Sequence, residues 1–275
     1  MLRLGWFSTG RDEAALDLLK TVWEAIQGGE IEAKISFVFC NRKPGEAAAS
    51  DAFIRLVGDY GVPLITFSTR RFQREKGIST PHDSSPRAPW RLEHDREVMR
   101  LLQGYSPDLC LLAGYMHIVG EEMCQRYNMI NLHPAAPGGP TGSWQQVIWR
   151  LMEDRASRSG VMMHLATPEL DRGPVVTYCT YSLRGEPFDG YWREMEGVSI
   201  PEIKRQEGEA NPLFRLIRQH GLAREFPLIL ATIRAFAQGR VRIEEGKVLD
   251  SRGNPVAGYD LTEDIESQLR DKATP

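Results

Sequence analysis

Cysteine is scarce in this 275-residue chain: Cys40, Cys110, Cys124 and Cys179 are the only four, and no two stand in a Cys-x-x-Cys pair. Cys40, Cys110 and Cys179 sit in or at the end of apolar, strand-like runs, which is the pattern of buried free thiols in a reducing compartment. No His or carboxylate accompanies them at ligand spacing, so no metal is expected. Long hydrophobic runs are also missing. None approaches the roughly 18 residues of a membrane span, so no membrane partner is expected. There is no excess of positive charge, with 34 Lys and Arg against 37 Asp and Glu and a formal net charge of -3. This disfavours bulk nucleic-acid binding and leaves small molecules as the expected partners. The opening MLRLGWFSTG has too short an apolar stretch for a signal peptide, and a cytoplasmic location is expected. Internal repeats are absent.

The remaining composition is that of an ordinary globular protein, with 41% hydrophobic and 26% charged residues. Apolar runs alternate with helical periods. Strands are expected at Leu2–Phe7, Ala33–Cys40, Leu64–Phe67, Asp108–Ala113, Met129–Leu132, Gly160–Ala166 and Val175–Ser182. Helices are expected over Asp12–Gln27, Glu46–Tyr60, Arg91–Gln103, Glu121–Tyr127 and Trp144–Asp154. Thr9 with Asp12 has the spacing of a capping box. This alternation predicts an α/β, Rossmann-like fold, a mostly parallel sheet flanked by helices. Ser68–Pro89, rich in Arg, Ser and Pro, has no clean period and is expected to be a mobile insertion. After about Arg184 the pattern changes: Gly185–Asn211 is charged and irregular, helices are expected over Pro212–Gln219 and Arg224–Gln238, and a hairpin from Val241 onward. The expected organisation is a catalytic domain over 1–184, with 185–275 a C-terminal helical and hairpin extension packed on it.

Chemistry-bearing residues gather at strand ends. Asn131 and His133 stand two apart, so a strand would point both side chains the same way, just before a loop holding three prolines and three glycines, Pro134–Gly142. In an open parallel sheet, sites form beyond the carboxyl ends of the strands. An amide can donate to a developing oxyanion. An imidazole can exchange protons, and a carboxylate such as Asp171 can orient and charge it. Taken singly, Asn131 also suits a turn, His133 a loop and Asp171 an Asx-turn before Gly-Pro.

Asn131-Leu-His133-Pro134, with Gly142 nine residues after the His, resembles the Asn-x-His-Pro motif of the folate-dependent formyltransferases. The stretch from His164 to Pro174 (HLATPELDRGP) is similar to a second motif of that family. Asp108–Val119 is similar to its folate-cradling strand and loop, and Phe39–Lys43 to its second strand and turn. The resemblance runs in order over roughly residues 1–184. It implies a formyl donor, 10-formyltetrahydrofolate, and a primary amine that attacks it. Asn131 and a protonated His133 would hold the oxyanion, and Asp171 would support His133 and help move the proton. The donor's pterin would lie against Tyr115, Met116, His117, Ile118 and Val119 and against Thr167, Pro168, Glu169 and Leu170, with Arg91 near its glutamate tail. The expected acceptor is glycinamide ribonucleotide, with its phosphate at Ser8, Thr9, Gly10 and Arg11. There Asp12 and Glu13 already occupy the positive helix end. Another amine, such as a nucleotide-linked aminosugar, and hydrolysis of formyltetrahydrofolate are the alternatives. Ala135–Gly138 replaces the family's Ser-Leu-Leu-Pro, which marks this loop as a place where the acceptor is chosen.

Overall fold

The computed structural model describes residues 1–78, 88–169 and 171–273. It comprises two compact units whose segments interleave along the chain. The first takes in Met1–Asn131, Leu165–Pro174 and Ile233–Pro255, and the second Leu132–His164, Val175–Thr232 and Val256–Pro275. Residue 184 falls inside the second.

In the first unit β1 (Leu2–Ser8) pairs in parallel with β2 (Ala33–Cys40) on one side and β4 (Leu109–Leu112) on the other. β3 (Leu64–Thr66) extends the β2 edge, and β5 (Met129–His133) runs alongside β4 from Met129 to Asn131, both in parallel. All four residues of β4 are buried, as a strand covered on both faces requires. Side chains from β1, β2 and β4 meet those of α4 (Pro89–Leu101) and α5 (Glu121–Arg126) in one core that holds Phe7, Phe37, Phe39, Val98, Tyr115 and Met123. Between β1 and β2, α1 (Glu13–Gln27) turns Ala15, Leu18, Leu19, Val22 and Ala25 inward. Its N-cap is Asp12, which accepts from the Ala15 N–H. Thr9 therefore does not cap it, and instead accepts from the Met116 N–H at 2.8 Å.

The second unit pairs β6 (Arg158–Leu165) antiparallel with β7 (Val175–Ser182), and the short β10 (Tyr259–Asp260) parallel with β7. The eight strands together make a mixed, mostly parallel α/β arrangement flanked by helices. α6 (Trp144–Glu153) opens on a capping box of Ser143 and Gln146. It contributes Val147, Ile148, Trp149, Leu151 and Met152 to a core shared with Phe188, Trp192, Ile203, Leu213 and Phe214.

Two stretches expected to be irregular carry structure. Within Ser68–Pro89, α3 (Thr69–Glu75) is helical, capped by Ser68 accepting from the Arg71 N–H; residues 79–87 lie outside the described residues. Gly185–Asn211 contains α7 (Phe188–Glu194) and α8 (Ile200–Gln206), anchored by the buried Phe188, Trp192 and Ile203. The two helices expected after Pro212 are a single one, α9 (Pro212–Ala237), which runs through Pro227. Beyond it come the hairpin β8 (Val241–Glu244) and β9 (Lys247–Asp250), then β10 and a last helix, α10 (Thr262–Ala273).

Candidate active site

The carboxyl ends of β1 and β4 lie side by side, because Phe7 registers with Leu112. Their loops are stitched together. Thr9 N–H donates to the Gly114 carbonyl at 3.1 Å, Met116 N–H to Thr9 Oγ1 at 2.8 Å, and Arg11 Nη1 lies 3.3 Å from Met116 Sδ. Ser8–Arg11 and Tyr115–Val119 are thus neighbours, although the sequence separates them by a hundred residues. Ser8 and Thr9 are buried, and Ser8 Oγ accepts from the Gly10 N–H at 3.0 Å. Gly10 adopts φ +57°, and a Cβ there would lie 2.7 Å from Phe53 Cβ. The hydroxyls of Ser8 and Thr9 are therefore engaged within the protein, and Asp12 fills the helix cap.

In the second of these loops Tyr115, His117 and Val119 point inward, while Met116 is exposed. Burial pushes the Tyr115 hydroxyl well above its ordinary pKa, with the charges of Asp95 and Cys40 adding to the rise. Its oxygen has no hydrogen-bond partner among the described residues.

Beside this loop opens a cavity of about 850 Å³, lined by Ala88, Pro89, Arg91 and Leu92 of α4 and its approach, by Gly120–Glu122 and Gln125 of α5, and by Thr167, Pro168, Glu169 and Arg172. Arg91 and Thr167–Glu169, expected from sequence to hold one ligand, face the same space. Leu170 lies outside the described residues. The lining holds the cations Arg91 and Arg172 and the carboxylates of Glu121, Glu122 and Glu169, of which Glu122 is tied to Arg96 through a paired contact at 2.5 and 2.8 Å. The volume suits a drug-sized cosubstrate.

Asp171 stands in a loop closed at its base. Leu165 N–H donates to the Pro174 carbonyl at 2.9 Å, and Ala166 N–H to the Met129 carbonyl at 2.8 Å, which roots the loop at the start of β5. Thr167 Oγ1 donates to the Glu169 carbonyl at 2.8 Å. A Cβ at Gly173 would overlap the Leu165 carbonyl oxygen, so the closure demands glycine there. Asp171 itself has φ +55°, a left-handed backbone that few non-glycine residues adopt.

Asn131, half-buried, ends the first unit's share of β5. His133, 2% exposed, belongs to the second unit, where Nε2 lies 2.8 Å from the Pro140 carbonyl and the ring stands 6.2 Å from that of His164. A carbonyl only accepts, so Nε2 carries a proton, and Nδ1 is the nitrogen whose protonation can change. The proline-rich loop therefore fixes a tautomer by bringing one carbonyl back onto the ring.

His94 and Asp95, which no sequence motif singled out, join His117 deep in the first unit. His94, Asp95 and His117 are all buried and place their ligand-type atoms within 4.8 Å of one another. The signal was present, since Arg91, His94 and Asp95 lie three and four residues apart on α4 and so share a helix face. Burial alone would raise the Asp95 carboxyl, but hydrogen bonds from His117, His94 and the Gly120 N–H outweigh it and hold the carboxyl below its usual range. Burial lowers His117 to about 4, with the charges of His94 and Arg91 adding to the drop against the opposing pull of Asp95.

A family model described as formyl transferase matches residues 15–181. The phosphoribosylglycinamide formyltransferase of Haemophilus influenzae is 24% identical over 245 residues, spanning 88% of this chain and 92% of that protein. Among solved structures, the phosphoribosylglycinamide formyltransferase of Coxiella burnetii superposes with a TM-score of 0.63 at 20% identity, covering 94% of this chain and 98% of that one. A formyltetrahydrofolate deformylase from Pseudomonas syringae shares the fold with a TM-score of 0.56 at 19% identity, over 90% of this chain and 65% of its own. The chain belongs to the formyl transferase family and is a formyltransferase.

Proposed function

We propose that the protein transfers the formyl group of 10-formyltetrahydrofolate to the primary amine of glycinamide ribonucleotide, a step of purine synthesis. The observation that carries the donor half is the cavity that Arg91 and Thr167–Glu169 both line. A cationic end and a loop rich in backbone groups suit a flat heterocycle joined to a carboxylate tail. The acceptor half rests on likeness to phosphoribosylglycinamide formyltransferases over most of the chain.

In this reading the amine lone pair attacks the formyl carbon. Asn131 donates to the oxyanion that forms, and His133 Nδ1, protonated, is a second donor. The Nε2–H bond to Pro140 holds the ring while Nδ1 exchanges its proton. Asp171 relays the proton lost by the attacking amine toward the folate nitrogen, directly or through water. The bond from that nitrogen to the formyl carbon then breaks, giving the formylated amine and tetrahydrofolate. No metal is required by this sequence of steps.

The first-strand loop favours a second reading on one point. With Ser8 and Thr9 engaged internally and Asp12 and Glu13 at the helix start, an acceptor without a phosphate, or water, suits it as well. The deciding experiment incubates purified protein with 10-formyltetrahydrofolate and glycinamide ribonucleotide. Acceptor-dependent formation of tetrahydrofolate and formylated ribonucleotide supports transfer to that amine. Formate release at the same rate without acceptor would establish hydrolysis, and turnover only with a different amine would reassign the acceptor.

A further inference from the structure

Asp95 receives three hydrogen bonds and is wholly buried. His94 Nδ1 and His117 Nε2 approach one oxygen at 3.3 and 3.2 Å, and the Gly120 N–H donates to the other at 2.5 Å. The proton position on His117 follows from one end of the network. His117 Nδ1 faces Arg91 Nη1 at 3.4 Å, and a guanidinium has only donors. That nitrogen is therefore bare, and His117 carries its proton on Nε2, directed at Asp95. At the other end, Asn41 Nδ2 donates to Thr69 Oγ1 at 3.2 Å, and the same oxygen lies 2.9 Å from His94 Nε2. His94 also turns an N–H toward Asp95. His117 is neutral, Asp95 is the anion, and Arg91 is the cation that balances it. A divalent ion among these atoms would need a bare Nε2 on His117, moving its proton to face the guanidinium, so the arrangement is that of a hydrogen-bonded relay.

The relay links two parts of the donor cavity. Arg91 and Gly120 both line it, and His117 belongs to the loop between them. Arg91 is further held by its guanidinium lying 4.6 Å from the centre of the Trp90 ring. We propose that Asp95 is a positioning residue for the formyl donor: through neutral His117 it aims the Arg91 guanidinium, and through the Gly120 N–H it fixes the loop at the cavity edge. This inference rests on the reading of that cavity as the donor's.

Two measurements test it. Nitrogen-15 correlation spectra of histidine-labelled protein at pH 7 read the relay without any folate, and the expected result is neutral His117 protonated on Nε2. An imidazolium, the opposite tautomer, or ring signals that shift on addition of zinc ion would overturn the relay. Kinetics then read its purpose. Asp95→Asn should raise the KM for 10-formyltetrahydrofolate about tenfold, leaving kcat at saturating donor and the acceptor KM within about threefold. Combined with Arg91→Ala it should cost clearly less than it does alone, because only the path through the Gly120 N–H remains to be lost. Effects spread over kcat and acceptor KM, or independent effects of the two substitutions, would mean a structural role only. Should Asp95→Asn fail to fold, His117→Ala and His117→Gln replace it. Gln keeps an acceptor for Arg91 and a donor for Asp95, so its donor KM should rise about fivefold less than that of the Ala variant, and equal losses would overturn the idea. If the wild-type protein does not bind 10-formyltetrahydrofolate at all, the donor reading itself falls and the positioning role with it, whatever the spectra show of the relay.

Discussion

The imidazole of His133 and the carboxylate of Asp171 are each held in one local setting, the first by a returning carbonyl and the second by a left-handed backbone. Which nitrogen of His133 exchanges protons depends on Pro140, seven residues on, returning its carbonyl to Nε2 at 2.8 Å. No period or spacing encodes that contact. Asp171 stands in a left-handed backbone at φ +55°, where asparagine is the best-tolerated substitute other than glycine. Asp171→Asn therefore keeps the backbone and the shape of the side chain and removes only the proton-accepting carboxylate. It should lower kcat by about two to four orders of magnitude while donor binding, measured by titration of the apo protein with a folate analogue, stays within threefold. Turnover close to wild type would take Asp171 out of the proton path.

At the scale of elements, β1, β2, β4 and α1 were readable because near-continuous apolar runs mark strands covered on both faces and period 3.6 marks the buried face of α1. The failures have local causes. A break was expected between Gln219 and Arg224, around Gly221, yet α9 continues through it and on through Pro227, carried by the buried Leu213, Phe214, Ile217, Leu228, Ile229 and Ile233 on either side. α10 carries few apolar residues, and tertiary contacts hold it in place. Ile265 is fully buried, Thr262 Oγ1 accepts from the Thr180 N–H at 3.0 Å, and Glu266 pairs with Arg224 at 2.6 Å. Arg224 is 9% exposed on its side chain and also lies 4.5 Å from the Tyr181 ring centre, so removing its partner leaves a cation in a mostly apolar setting. Glu266→Ala should cost on the order of 3 kcal/mol in urea unfolding, and Glu266→Gln, which retains an acceptor, about half as much. Equal and negligible effects would show that the pair is solvated. The loop 165–174 makes a sharper case. Gly173→Ala cannot be accommodated beside the Leu165 carbonyl without opening the Leu165–Pro174 closure. It should cost roughly 1–3 kcal/mol and displace Asp171, lowering kcat far more than the stability loss alone explains. A variant with wild-type turnover would show that the closure is not needed to present the carboxylate.

For the molecule as a whole, alternation of strands and helices announced the α/β class, and the Asn-x-His-Pro and Leu-Asp-Arg-Gly-Pro stretches carried the resemblance to the formyltransferase family. The buried relay stayed hidden, because Asn41, Thr69, His94, Asp95 and His117 come from separate segments that only folding brings together. That relay also sets the protein's response to acid. His117 titrates near 4 in the folded protein because burial disfavours its charge, against an ordinary value of 6.5. As pH falls below 6.5 the unfolded chain takes up a proton that the folded chain refuses, so stability drops through the window down to about 4 and the loss from this group then levels off. The full span corresponds to about 3 kcal/mol at 1.36 kcal/mol per unit. His220 is lowered in the same direction, mainly by burial and then by the charge of Arg224, and adds to the slope. The Asp95 carboxyl, held below its ordinary 3.8, loses its stabilising contribution only at still lower pH. Urea unfolding at steps from pH 7 to pH 4.5 should show the wild-type protein losing stability more steeply than His117→Gln. Parallel curves for the two proteins would mean that His117 is already charged, or already exposed, in the native state.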